Sequence, residues 1–248
     1  MYKTYFQNKK AVFFDLDGTI ADTDPYWKRA FEKIMGLIGA TSVTWEEADA
    51  GAPTPADTWE NILQMTQIRP KNTIKELVNL TITELSQILK TDPIESTEGF
   101  WSLVADLKQK KYKLALVSND PKDAVNVLLS ALGCGQTFDL IVTADDVRNP
   151  KPAPDIYNNA AARLGLKASE VLVFEDSVIG SSSAQAAKMD TIVVWNTKVS
   201  QTKYPRDILT YISDFTSFPG NLDLTLEDYL KKTAEIALGE HLGQNATT

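Results

Sequence analysis

Cysteine and histidine are almost missing from the 248 residues: there is one of each, Cys134 and His241. A lone cysteine excludes an internal disulfide and fits a reducing cytoplasm, which is the expected location. With one histidine, zinc sites rich in Cys or His are excluded, so any metal would need oxygen ligands, which suits magnesium. No apolar run approaches the roughly 18–20 residues that span a bilayer, and no membrane association is expected. The opening stretch MYKTYFQNKK is basic. The apolar run after it is short and carries Asp15, so a signal peptide is not expected. Positive charge is also scarce: the net charge is −8 and Lys and Arg do not cluster, so nucleic acid is not an expected partner. Internal repeats and low-complexity tracts are absent.

What the chain does contain is a series of short, β-rich apolar runs at wide spacing. They are Ala11–Leu16, Lys113–Ser118, Leu140–Thr143, Val171–Glu175 and Thr191–Trp195, with a weaker one at Leu209–Ser213. Most are near-continuous rather than alternating, as expected for strands buried on both faces. Helical patterns lie between them. Phe100, Leu103, Val104 and Leu107 share one face of a helix over Phe100–Lys111. Pro121–Leu132 follows a Ser-Asn-Asp-Pro start and stops at Gly133, and Asp155–Leu164 ends at Gly165. This alternation predicts βαβ units and a doubly wound parallel sheet of the α/β class.

Residues 22–96 break the rhythm. They carry helical patterns at Pro25–Ile38, Pro55–Met65 and Asn72–Leu89 and no convincing strand. The expectation is a helical domain, 22–96, inserted into a core made of 1–21 and 97–240. Its joints would lie near Ala21–Asp24 and Thr91–Glu98, and 241–248 would form a flexible tail.

Four predicted strands finish in chemically useful residues. The first ends FFDLDGTI, with Asp15 and Asp17; the second ends in Ser118, Asn119 and Asp120. Lys151, between two prolines, follows the third, and the fourth ends in Glu175 and Asp176. A parallel sheet brings these ends to one edge, where such folds bind ligands.

On these residues the chain resembles the haloacid dehalogenase superfamily of phosphotransferases. The motifs are Asp15-Leu16-Asp17-Gly18-Thr19, Ser118 after an apolar strand, Lys151-Pro152, and Glu175-Asp176-Ser177 with Gly180, in order and at fitting separations over roughly residues 10–215. The style of the motifs and of the inserted helices is similar to the phosphoglycolate phosphatase and β-phosphoglucomutase branch. The resemblance implies a Rossmann-like core, a helical cap and a magnesium-dependent phosphatase acting on a small soluble phosphate ester, monomeric by default. It implies Asp15 as nucleophile and Asp17 as general acid and base. It further implies Ser118 and Asn119, with backbone N–H groups, and Lys151 on the phosphate. Metal ligation falls to Asp15, the Asp17 carbonyl, Asp176 and Glu175, the last directly or through water. An acid at position 17 is of no use to a dehalogenase, since halide leaves without a proton.

Alternatives and departures belong to the same reading. Mutases of this branch place a His just after the first motif; here that place holds Trp27. A sugar-phosphate mutase and a catalytically silent regulatory protein are the rival functions. Ser118 also reads as a helix N-cap. Trp27, Trp45 and Trp59 read as helical core rather than a stacking box. Arg69 and Lys71 are candidates for a substrate carboxylate or second phosphate, with a solvated face as the commoner explanation. Cys134 reads as packing. Lys111 and Lys188 stand where relatives often carry Gly at helix C-termini, a position that costs a non-Gly residue roughly 1 kcal/mol. The run Gly180-Ser181-Ser182-Ser183 is more polar than usual.

Overall fold

The computed structural model describes residues 4–218. The expected tail, 241–248, with His241, lies outside them. Six parallel strands form one sheet in the order β3-β2-β1-β4-β5-β6. They are β1 (Ala11–Phe14), β2 (Lys113–Val117), β3 (Leu140–Val142), β4 (Val171–Glu175), β5 (Asp190–Val194) and β6 (Ile208–Ile212). Each matches an expected run to within one or two residues.

The sheet is buried on both faces because its strands are apolar at successive positions, which point to opposite sides. Val12, Phe14, Leu114, Leu116, Leu172 and Phe174 pack into one layer. Ala11, Phe13, Ala115, Val117, Val171 and Val173 pack into the other. The register pairs Phe14 with Phe174, and their rings stack at 5.3 Å between centroids. Helices α5 (Phe100–Gln109) and α6 (Lys122–Ala131) contribute to the first layer. Helices α7 (Asp155–Arg163) and α8 (Val178–Ala186) contribute to the second.

Between β1 and β2 the chain forms four further helices: α1 (Asp24–Ile38), α2 (Trp45–Asp49), α3 (Pro55–Thr66) and α4 (Ile74–Thr91). Pro near the start of α1 and of α3 and threonine caps on α2, α3 and α4 explain where they begin. The two connections to the sheet run side by side. Thr97 donates through its N–H to Ile20 O (2.7 Å) and through its hydroxyl to Thr19 O (2.8 Å).

Lys111 and Lys188 both adopt left-handed backbone, with φ of 61° and 60°. Each closes a helix in the same way. Lys111 N–H reaches Lys108 O and Tyr112 N–H reaches Leu107 O; Lys188 and Met189 reach Gln185 and Ala184. This double hydrogen bond is the Schellman ending, a position that favours Gly.

Candidate active site

The sheet's carboxyl edge collects the residues singled out above. Asp15 follows β1 directly and extends its ladder, its N–H reaching Phe174 O at 3.0 Å. Ser118 does the same after β2, with its N–H on Val142 O at 3.0 Å. Lys151 comes from the loop before α7, Glu175 closes β4, and Asp176 follows it. These elements diverge on either side of β1, so the strand order itself opens a crevice there.

Lys151 is the centre of the arrangement, and is buried. Its ammonium donates to Asp15 Oδ1 (2.7 Å), Glu175 Oε1 (2.5 Å) and Val117 O (2.8 Å). All three N–H donors are thereby used. Burial alone would lower its pKa, but the two carboxylates hold it above the ordinary lysine range. Glu175 is fully engaged as well. Oε1 also accepts from the Tyr157 hydroxyl (2.8 Å), and Oε2 from Asp176 N–H (3.2 Å) and the Ser177 hydroxyl (3.2 Å). The Tyr157 ring also sits under the Lys151 ammonium, 5.1 Å from it. Two glycines make room for this packing. A Cβ on Gly180 would overlap the Glu175 carboxylate, and one on Gly18 would overlap that of Asp176.

Around the single ammonium stand five carboxyl groups: Asp15, Asp17, Asp120, Glu175 and Asp176. Burial pushes Asp15 up to about 8, with Glu175 repelling its charge and Lys151 pulling the other way. Asp176 is raised well above the usual range by burial and then by Asp15 and Glu175. Such a set is stable as carboxylates only with added positive charge. Asp15, Glu175 and Asp176 bring one oxygen each to within 4.8 Å of one another. Three hard oxygen donors at that separation fit a divalent cation.

Asp17 is held separately. Its Oδ1 accepts from the Thr23 hydroxyl and from Trp27 Nε1–H, the latter at 3.2 Å. Burial nonetheless raises its pKa. Asp120 lies buried opposite it, and burial followed by the charge of Asp17 holds the Asp120 carboxyl well above its usual range. Ser118 does not cap α6: Pro121 occupies the N-cap position, and the Ser118 hydroxyl instead accepts from Asp120 N–H at 3.0 Å. The Asn119 side chain is committed to protein. Its Nδ2 donates to Lys151 O (3.1 Å) and Pro53 O (2.9 Å), and its Oδ1 accepts from Lys151 N–H (2.9 Å).

The crevice continues as a cavity of about 220 Å³ between the strand ends and the inserted helices. Asp15, Asp17, Ser118, Asn119, Lys151 and Asp176 line its floor. The helical side contributes Asp24, Trp27, Phe31, Trp45, Asp49 and Thr58. The three tryptophans therefore divide. Trp59 is core, with its indole N–H on Thr81 Oγ1 at 3.0 Å, whereas Trp27 and Trp45 line the cavity. Arg69 and Lys71 do not line it. Cys134 is buried and burial pushes its thiol up to about 12, in keeping with a packing role.

Tyr157 and Asp49 are site residues that motif reasoning misses, and for Trp27 and Asp120 it finds the residue without the role. Tyr157 sits in the first turn of α7, where an aromatic reads as core. Asp120 reads in sequence as a strand-end residue and part of the helix start before Pro121.

The chain has relatives among known proteins. The family described as Haloacid dehalogenase-like hydrolase matches residues 12–194. The chain is 28% identical over 200 residues to fructose-1-phosphate phosphatase YqaB of Escherichia coli, covering 78% of this chain and 98% of the relative. It is 28% identical over 186 residues to the phosphorylated carbohydrates phosphatase of Thermotoga maritima, covering 74% and 83%. Among solved structures, CbbY from Rhodobacter sphaeroides in complex with phosphate superposes with a TM-score of 0.78 at 23% identity, over 87% of this chain and all of that one.

Proposed function

Since this chain belongs to the haloacid dehalogenase-like hydrolase family and is a phosphoric monoester hydrolase, we propose that it hydrolyses a small phosphate ester through a phosphorylated Asp15. The observation that carries this reading is the position of Lys151, bonded at once to Asp15 and Glu175 on the floor of a cavity that Asp17 also lines. Phosphorylated carbohydrates and fructose 1-phosphate, the substrates in the relatives' names, give the class of ester to try first.

In the first half of the reaction an Asp15 oxygen bonds to phosphorus and the bond to the leaving alcohol breaks. Asp17 gives that alcohol its proton. The raised pKa of Asp17 suits an acid that must hold a proton until then. In the second half water attacks the aspartyl phosphate, Asp17 takes the proton back, and inorganic phosphate leaves with Asp15 restored. Lys151 fixes the Asp15 carboxylate and offsets its charge as the phosphate approaches. Ser118 and the backbone N–H of Asn119 are assigned to the phosphate oxygens, while the Asn119 side chain poses Lys151. Trp27 and Thr23 orient Asp17. An indole N–H neither ionises nor accepts a proton at neutral pH, so Trp27 does not take the place of a mutase histidine.

Magnesium is the cation we assign to the acidic group, held by Asp15, Asp176 and the Asp17 carbonyl, with Glu175 direct or through water. When bound it supplies charge neutralisation for the phosphoryl oxygens. The saturation of both Glu175 oxygens by protein donors favours the water-mediated arrangement.

We also assign the helical segment, residues 22–96, as a cap on a core formed by the remainder of the described chain, hinged at its two connections. A reducing cytoplasm suits the single buried Cys134.

The test is phosphate release from p-nitrophenyl phosphate with and without magnesium. Asp15→Asn and Asp17→Asn should each abolish the magnesium-dependent rate. An Asp15→Asn protein that retains it would overturn the mechanism.

A further inference from the structure

The floor of the cavity holds Lys151 and an acidic group that fits a divalent cation, but its other end is charged against a second anion. Asp24 and Asp49 line it, and Lys151 is the sole cationic side chain among the described residues that line the cavity. Lys151 is already bonded through all three donors on the floor. Lys198 is held on Asp24 at 2.8 Å, largely in solvent and outside the lining. The remaining surface is aromatic at Trp27, Phe31 and Trp45, with Pro53, Pro55 and Ile179 and the hydroxyl residues Thr54 and Thr58 beside them. One polar group among these lining residues, Trp45 Nε1, is buried with no hydrogen-bond partner, whereas the Asp120 carboxyl is hydrogen-bonded to that of Asp17. Trp45 itself is more than nine-tenths buried. Trp45 and Asp49 stand four apart on α2, so they share one face of that helix.

We infer that the cavity selects monoesters whose leaving alcohol carries no second anion and offers hydroxyl or ammonium donors, and that Asp49 and Asp24 are the residues that enforce this. A carboxylate or second phosphate on the leaving group would face Asp49 and Asp24 with no free cation to meet it, and such like-charge contacts are strongly unfavourable. A hydroxyl has the opposite fit. Its proton goes to a carboxylate, and its oxygen accepts from an indole N–H. An ammonium group finds both carboxylates and ring faces. Arg69 and Lys71, the basic residues of the helical segment that would suit an anionic leaving group, stand away from the cavity. This inference rests on the phosphatase reading above and narrows it.

The experiment compares kcat/KM at pH 7.5 with magnesium for two pairs whose leaving groups differ by one and by two units of charge. They are glycerol 3-phosphate against 3-phosphoglycerate, and phosphoethanolamine against phosphoglycolate, with p-nitrophenyl phosphate as reference. The non-anionic member of each pair should be preferred by at least about tenfold. In Asp49→Asn that ratio should shrink severalfold, and in Asp24→Asn, which leaves the α2 helix untouched, it should shrink as well. Equal rates within the pairs, or a preference for the anionic member, overturn the inference. A wild-type preference that neither variant narrows overturns the assignment to Asp49 and Asp24. Loss of turnover on every ester including p-nitrophenyl phosphate would instead count against the phosphatase reading itself.

Discussion

Asp49→Asn should make the protein more stable at pH 8 and leave it unchanged near pH 4. Asp49 is the last residue of α2 and half-buried. Burial pushes its carboxyl from 3.8 to about 6, even though the Thr58 hydroxyl donates to Oδ1 at 2.9 Å. Asp24 and Asp17 add repulsion, and the negative end of the helix dipole is an unfavourable place for a carboxylate. In the unfolded chain the group titrates near 3.8. Because the folded value is the higher one, the native state keeps its proton longer. The folded protein is therefore penalised progressively as pH rises from 3.8 to about 6, and fully above that. The displacement corresponds to about 3 kcal/mol at most. Contact with water reduces this to about 1–2 kcal/mol. Asparagine cannot ionise and its carbonyl still accepts from Thr58, so the variant escapes the penalty. Urea unfolding of both proteins at intervals between pH 4 and 8 measures the difference. A gain for Asp49→Asn that does not depend on pH, or a loss at pH 8, would refute the reasoning. The stabilisation should accompany the loss of substrate discrimination inferred above, as is common where a site is built against stability.

Two further perturbations follow from the packing. Lys188→Gly should relieve the left-handed backbone at the end of α8 and raise stability by about 0.5–1 kcal/mol, a gain of a few degrees in Tm. kcat/KM should stay the same, and a lower Tm would show that the position is unstrained. Gly180→Ala should drive a methyl into the Glu175 carboxylate and misplace the Lys151 bridge, lowering kcat by about 10²-fold. Activity within twofold of wild type would mean that the carboxylate moves aside harmlessly.

The buried strands were legible because each is a compact run of apolar residues on a chain otherwise rich in polar ones. Val171–Glu175 is found at its expected limits, and β1 and β2 stop one or two residues early, where Asp15 and Ser118 take over the ladder. Asp15, Asp17, Lys151 and Glu175 could be placed together because a parallel sheet puts all its strand ends on one edge. What depended on side-chain direction could not. Trp27 is one apolar position of an amphipathic helix in sequence, and only the fold turns its N–H toward Asp17. Tyr157 is similarly indistinguishable from a core residue until its hydroxyl meets Glu175. Helix α2 is five residues long, too short to show periodicity. Its capping box of Thr44 and Glu47 is the signal that marks it. Helix α8 is rich in serine and has no clear apolar face, so Ser177, whose hydroxyl accepts from Gly180 N–H at 2.9 Å, is its readable feature.

The hydrogen bonds from Thr97 to Thr19 and Ile20 hold the chain's exit from the sheet beside its return. The sheet therefore meets the 22–96 excursion as though it were a tight loop, whatever its length. Loop closure adds only about 0.6 kcal/mol for each doubling of a flexible excursion, and here its ends are already joined. Lengthening, shortening or exchanging the excursion therefore adds little loop-closure expense, and the packing of α4 on α6 is what a replacement must restore. The wall that chooses the leaving group is thus open to replacement while the floor that cleaves the ester is kept. One scaffold can in this way serve many alcohols, and a transplant of residues 22–96 between relatives is a direct route to new selectivity.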